Sequence, residues 1–213
     1  MIFKHGILAA LLAVALPAFA VPAVAADNIN VNVGFIRAPH MRETLSILDI
    51  PAADDGIAGA ELAVEDNNTT GHFLGQTFAI EDVPLRPGDD PAAALNGLIA
   101  RGVSFVLADL PAAALLALAD GAKDNGILIF NTNAPEDSLR EENCRANVFH
   151  VAPSYSMLAD GLAQYLVWKQ WKRWFLVKGS HPQDELYAGT LTRAAKKFGA
   201  KIVEERVYED TGG

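Results

Sequence analysis

The side chains able to react are sparse in this sequence, and their spacing excludes more chemistry than it offers. Cys144 is the single cysteine, so no internal disulfide can form, and no Cys/His pattern has the spacing of a zinc site. Outside the N-terminal segment, His40, His72, His150 and His181 stand far apart, each without a companion at metal-ligand spacing. They read as surface or locally bonded histidines. No GxSxG elbow, no GxGxxG and no GxxxxGK[ST] loop occurs, which removes the common signatures of serine hydrolysis and of nucleotide binding. Nothing calls for a cofactor. What remains is binding chemistry, in short polar groups that each follow an apolar run.

Three such groups stand out. Asp109 and Leu110 follow the run Val103 to Leu107. Asp109 has two readings: it caps the next helix, as Asp near a helix start commonly does, or it lines a cleft and accepts hydrogen bonds from a ligand. Asn131, Thr132 and Asn133 follow Ile127 to Phe130. They supply neutral donors and acceptors for a small polar ligand, or they make Asx turns. Ser180 and His181 follow the strand-like Arg173 to Val177, with Tyr187 a little further on as an amphipathic wall residue or plain packing. Trp168, Trp171 and Trp174 flank a helix-strand junction, where aromatic residues are expected to pack. Asn67-Asn68-Thr69-Thr70 holds two overlapping N-x-[ST] sequons and is expected to form a helix C-terminus and turn.

The elements that would position these groups alternate regularly. Lys4, the apolar run Ile7 to Ala20 and Ala23-Val24-Ala25 form the three parts of an export signal, giving a signal peptide over residues 1–26. Asn30 to Ile36 then reads as a first strand. Asp54 or Asp55 caps a helix through Ile57, Ala60, Ala63 and Val64 that Gly71 is expected to stop. Thr77 to Ile80 is a second strand. Asp90 as cap, Pro91 at the first helical position and Gly102 as stop frame the next helix. Val103 to Leu107, a helix from Pro111 and Ile127 to Phe130 follow. The later strands are continuous apolar runs, the pattern of a parallel sheet covered on both faces, so the fold class is α/β with a doubly wound parallel sheet. Val148 to Val151 reads as a short apolar crossing. Ser154 then caps a helix whose Leu158, Leu162, Tyr165 and Leu166 share a face, and a strand, a helix and the start of another strand end the chain. In such sheets ligands bind at the carboxyl ends of the strands, where all three polar groups lie.

The composition fits this reading. The chain has 213 residues, 51% hydrophobic and 20% charged, with a net charge of −9. That balance excludes a disordered chain and a multi-spanning membrane protein, and it argues against nucleic acid as a partner. Residues 27–140 hold 6 basic and 17 acidic side chains, whereas residues 141–213 hold 10 and 9. The asymmetry predicts two units, a first lobe over 27–147 and the beginning of a second over 148–213.

Several segments carry a resemblance. Glu65-Asp66-Asn67 before Gly71, Gly88-Asp-Asp90-Pro91, Ala100-Arg-Gly102-Val103 and Val148-Phe-His-Val-Ala-Pro153-Ser154 occur in the order and spacing of the type I periplasmic binding proteins of ABC transporters, in their branched-chain amino-acid branch. More narrowly, Glu65 to Gly71, Asn143-Cys-Arg-Ala-Asn147 and Tyr165-Leu-Val-Trp168 resemble the subgroup associated with pyrroloquinoline-quinone-dependent alcohol oxidation. The resemblance implies two lobes that close on a small-molecule ligand, delivery to an ABC permease in the inner membrane, a periplasmic location, no catalysis, and a monomer or weak dimer. It implies ligand contacts from Asp109, Leu110, Asn131, Thr132 and Asn133 on one side and from Ser180, His181 or Tyr187 on the other. Amino-acid binders of this type usually place a Gly-Pro turn and a serine after the third strand, where this chain has Ala108-Asp109-Leu110-Pro111-Ala112. A carboxylate facing Asp109 at 4 Å would be repelled by roughly 1–4 kcal/mol, which favours a neutral or cationic ligand. The family's second lobe should approach the first in size, so the chain is expected to be partial and to bind its ligand poorly. A sensory ligand-binding module and, less well supported, an exported α/β enzyme are the competing expectations.

Overall fold

A computed structural model describes residues 28–39, 52 and 54–209; the expected signal segment and His40 lie outside them. The strand and helix alternation predicted from hydrophobic patterning is present throughout. Five strands form one parallel sheet in the order β2-β1-β3-β4-β5: β1 (Ile29–Arg37), β2 (Gln76–Pro84), β3 (Phe105–Asp109), β4 (Leu128–Asn131) and β5 (Val148–His150). Helices α1 (Ile57–Leu74), α2 (Pro91–Ala100) and α3 (Ala112–Ala122) connect the first four. Beyond them, α4 (Tyr155–Trp168), β6 (Arg173–Lys178), α5 (Pro182–Phe198) and β7 (Lys201–Val207) follow, with β6 and β7 paired in parallel. Among the described residues no helix is long and apolar enough to cross a membrane.

Period-two alternation decides where the core sits. Val106, Ala108 and Leu110 along β3 and its exit, together with Ile36 and Ile129, have no exposed surface. They meet Leu95 and Leu98 of α2 and Leu115, Leu118 and Ala119 of α3 in one cluster. Gly34 belongs to the same face, since a Cβ there would stand 2.5 Å from a Leu98 methyl. The opposite face carries Val33, Phe35, Phe78, Ile80 and Leu107, as the strand register requires. Helix α1 covers part of it and leaves an apolar cavity of about 230 Å³ bounded by Val33, Ala60, Val64, Phe78, Ile80 and Leu107.

Two helix boundaries differ from expectation. The α1 N-cap is Gly56 with no side-chain cap, so neither Asp54 nor Asp55 caps it. The helix also runs past Gly71 to Leu74 and ends at Gly75 in the left-handed conformation, φ 66°. Gly71 is buried because a Cβ there would stand 2.7 Å from the Gln76 carbonyl oxygen. It permits close approach and does not stop the helix. The sequon residues are accordingly helical. Asn68 donates from Nδ2 to the Phe78 carbonyl at 2.9 Å and accepts from the Phe78 N–H at 2.8 Å, pinning α1 to β2. Helix α2 begins as the sequence predicts, with the Asp90 carboxylate accepting from the Ala92 N–H at 2.9 Å and Pro91 in the first turn.

The second sheet is thinly packed. Ala159 and Ala163 of α4 meet Ala194 of α5, with Trp174, Tyr187, Leu191 and Phe198 around them. The small residues let the two helices approach closely, so the bulkier stripe expected to be buried turns outward. Leu158, Leu162 and Tyr165 are 46%, 43% and 52% exposed. Of the three tryptophans only Trp174 packs; its Nε1–H donates to the Trp171 carbonyl at 2.6 Å. Trp168 is exposed beneath the Lys169 ammonium, 4.3 Å from its ring centre. The crossing Val148–His150 is hydrogen-bonded to β4 in the first sheet, and Ser154 caps α4 by accepting from the Met157 N–H.

Candidate functional site

The carboxyl ends of β1, β3 and β4 lie side by side. Arg37 ends β1 and donates from Nε and Nη2 to the two Asp82 carboxylate oxygens, both at 2.8 Å. This bidentate bond raises the Arg37 pKa above its ordinary value; burial opposes it, and the charges of Asp82, Asp109 and Asp54 add to it. Asp109 is the register partner of Arg37, so it lies on the α1 face of the sheet next to the guanidinium. The N-cap position of α3 is Pro111, in extended conformation, so Asp109 stands two residues before it at the strand end.

Alternation along the chain separates the predicted contacts. Leu110 follows Asp109 and points the other way, into the main core with no exposed surface, which is where a leucine at this position gains most from burial. Asn131 is likewise fully buried. Its Nδ2 donates to the Ala134 carbonyl at 2.7 Å, while its Oδ1 accepts from the N–H groups of Asn133 and Ala134 at 3.2 and 2.9 Å. The Asx-turn reading holds for this residue, because its amide is spent on shaping the loop. Thr132 is exposed and donates through Oγ1 to the Ala108 carbonyl at 3.2 Å, tying the β4 exit to the β3 exit. Asn133 is half-buried.

At the end of β6, Lys178 donates to Glu185 at 2.5 Å and pairs with Glu205 at 2.7 Å, and these two bonds raise its pKa. Ser180 and His181 are exposed. His181 is the N-cap of α5, and its backbone N–H donates to Asp184 Oδ2 at 3.0 Å. Gly179 is needed there, since a Cβ would collide with the Asp184 carboxylate. Tyr187 points back between α4 and α5, its ring 5.3 Å from that of Tyr155, so the packing reading describes it better than an open wall.

Tyr155 is the residue that the sequence reading missed. Its backbone N–H donates to the Pro135 carbonyl at 2.9 Å in the loop after β4. Burial raises the pKa of its phenol, and the charges of Glu136 and Asp184 raise it further. Glu136 belongs to the loop after β4 and Asp184 to the first turn after β6. Around this one side chain the structure thus brings together two strand ends that lie some fifty residues apart in sequence. An aromatic residue one position after a serine cap was the available signal. No group of three or more metal-ligating side chains occurs among the described residues.

Comparison with known proteins bears on the whole arrangement. The sequence profile of a family described as "Periplasmic binding protein" matches residues 51–213. No curated protein sequence matches. Among solved structures, the chain is similar to a branched-chain amino-acid ABC transporter periplasmic ligand-binding protein from Burkholderia xenovorans, with 20% identity and a TM-score of 0.68 over 85% of this chain and 47% of that one. It is similar to an ABC transporter substrate-binding protein from Desulfitobacterium hafniense in complex with Leu, with 19% identity and a TM-score of 0.64 over 84% and 50%. A branched-chain amino-acid transporter substrate-binding protein from Streptococcus pneumoniae, in complex with isoleucine, matches with 19% identity and a TM-score of 0.59 over 85% and 50%. These relatives are binding proteins of transporters and not enzymes. The chain spans about half the length of each.

Proposed function

Because the chain belongs to the periplasmic binding protein family, we propose that it captures a small polar solute for an ABC importer, holding it at the converging strand ends around Tyr155. The observation that carries this reading is the meeting of the β4 exit and the β6 exit at one half-buried aromatic side chain. Two loops from different sheets that face each other can grip a ligand from both sides, and contacts made to both only when they approach would drive closure. In this reading Thr132 and Asn133 present a hydroxyl and an amide from one side, beside Asp109. Ser180 and His181 approach from the other. Leu110 and Asn131 act from beneath, as the core anchor and the loop brace, and Tyr187 supports Tyr155. The export signal over residues 1–26 directs the protein to the periplasm, where it works with an inner-membrane permease.

Arg37 is already paired with Asp82, so it does not balance Asp109 as well, and the three groups together stay net negative. A neutral or cationic group of the solute is therefore favoured beside Asp109. The finer placement beside pyrroloquinoline-quinone-dependent alcohol oxidation rests on the three motifs alone. Two of them serve the fold: Asn68 braces β2, and Asn147 donates to the Ala119 carbonyl at 2.9 Å, next to the Arg145–Asp120 pair.

A thermal-shift screen of amino acids, alcohols, aldehydes, carboxylates and quinone-related compounds tests the reading, since a solute that binds the folded state raises the unfolding midpoint. With a hit in hand, Thr132→Val and His181→Ala should each weaken binding by roughly 5- to 30-fold, the loss of one or two hydrogen bonds. A hit whose affinity is indifferent to both substitutions would place the solute elsewhere.

A further inference from the structure

The imidazole of His150, at the end of β5, touches the loop after β4 and the short 3-10 turn Asp137–Arg140, and its two nitrogens have different partners. Asn131 Nδ2 lies 3.0 Å from His150 Nδ1. An amide nitrogen can only donate, so Nδ1 accepts. The Leu139 carbonyl oxygen lies 3.2 Å from Nε2. A carbonyl can only accept, so Nε2 carries the hydrogen. The orientation of the Asn131 amide is fixed independently, because its Oδ1 accepts from two backbone N–H groups. Together these bonds specify one neutral tautomer of His150.

We propose that His150 is a positioning residue for the loop bearing Thr132 and Asn133: its neutral Nε2–H tautomer locks Asn131 in place, and uptake of a proton releases the lock. The inference rests on the preceding reading for the loop's role in solute capture, and on the hydrogen bonds for the lock itself. Protonation puts an N–H on Nδ1 as well, so a donor would face the Asn131 Nδ2 donor. Asn131 cannot answer by rotating its amide, since Nδ2 would then meet the N–H groups of Asn133 and Ala134. Nδ2 would keep its bond to the Ala134 carbonyl, but its other N–H would lose its acceptor on a side chain with no exposed surface, and an unpaired buried donor is costly.

The charged surroundings favour the neutral form. Arg140, on the 3-10 turn, is the charge that bears on the imidazole; its Nη2 donates to the Ala152 carbonyl at 2.5 Å. β4 contributes the uncharged Asn131 amide, and the neighbours Phe149 and Val151 carry no charge. Asp137 is engaged by the Ser156 N–H at 3.2 Å, and the charge of Glu136 bears on Tyr155. Asp120 and Arg145 pair with each other before β5 begins. Burial first, then Arg140, holds the His150 pKa below its ordinary 6.5, with the Leu139 bond acting in the opposite sense. Above about pH 6.5 both the folded and the unfolded imidazole are neutral, and the full stability is present. As pH falls below that value the unfolded chain takes up the proton first, so stability declines until the folded pKa is passed. The loop is therefore locked at neutral pH and loosened in acid.

The test needs no solute. In the 213-residue chain at pH 7.5, long-range proton–nitrogen spectra should show His150 with a bare Nδ1 and a protonated Nε2. The Asn133 and Ala134 amides, corrected for intrinsic exchange, should lose roughly fivefold of their protection as the pH is lowered through the His150 titration seen in the same spectra, the worth of one ordinary hydrogen bond. His150→Asn keeps an acceptor near the Nδ1 position and cannot titrate, so its loop should stay protected with no acid step. His150→Ala should lose the protection already at pH 7.5, and if that variant fails to fold, the wild type and His150→Asn suffice. An Nδ1–H tautomer, a wild-type loop without the acid step, or the same step in His150→Asn would overturn the lock. These spectra decide the lock by themselves, and the transport reading is decided separately, by the solute screen on a protein with both lobes complete.

Discussion

The two sheets of this chain are made from the same parallel strand-helix-strand turn, yet they bury very different amounts of side chain. In the first, β3 and β4 lie between neighbours on both sides, and fifteen buried residues from strands, helices and loops form one cluster. In the second, among the described residues, β6 and β7 pair with each other, and the buried cluster between α4 and α5 is three alanines. Phe175, Val177 and Val207 stand 61%, 55% and 55% exposed on those strands. Parallel strands gain their stability from cover on both faces, and a two-strand sheet has two edges and little interior. The comparison teaches that equal local patterning does not give equal burial. What differs is how many neighbours each apolar side chain finds.

Four substitutions would break or sharpen this contrast. Leu118→Ala, in the centre of the first cluster, should cost about 2–5 kcal/mol, read as a lower urea midpoint for the whole first sheet; a cost below 1 would mean that the cluster is loosely packed. Gly71→Ala should cost roughly 1–3 kcal/mol, because the new methyl meets the Gln76 carbonyl at 2.7 Å, and it should loosen α1 while leaving the α2 and α3 side of the sheet untouched in amide exchange. Ser154→Ala removes the α4 cap and should cost about 1 kcal/mol. If the second sheet opens separately, that loss should appear in an early unfolding transition and not in the main one. Smallest of all, Phe175→Ser on the open face of β6 should change stability by less than about 0.5 kcal/mol. A larger drop would show that this face is covered in solution.

Much of the fold was legible from local signals. The Asp90 cap, Pro91 and the apolar runs of β3 and β4 act through neighbours in the chain, so hydrophobic period and turn chemistry reveal them. Gly71 and Gly75 were harder to tell apart. Both follow an apolar stretch, and only the approach of the Gln76 carbonyl shows that Gly71 serves packing while Gly75 takes the left-handed turn. The spacing of Leu158, Leu162 and Tyr165 correctly gave a helix, but not the face that it buries. Small side chains permit the closest helix approach, and alanines carry little weight in a hydrophobic pattern. At the candidate site, the polar groups were found because ligands gather at strand ends. Their division into loop braces and exposed contacts was hidden, since adjacent residues such as Asp109 and Leu110 differ in direction rather than in type of loop.

By itself the sequence determined the α/β class, the order of strands and helices, the three polar loops and the absence of nucleophile, nucleotide and zinc motifs. Those properties depend on residue type and short-range spacing, which the chain states directly. Only the tertiary structure decided that Asp109 lies beside Arg37, that Asn131 and His150 are hydrogen-bonded, and that Tyr155 joins the ends of β4 and β6. Each of these is a meeting between segments set by strand register and helix packing. Many pairings are compatible with one pattern of residues, and the burial of the whole core selects among them.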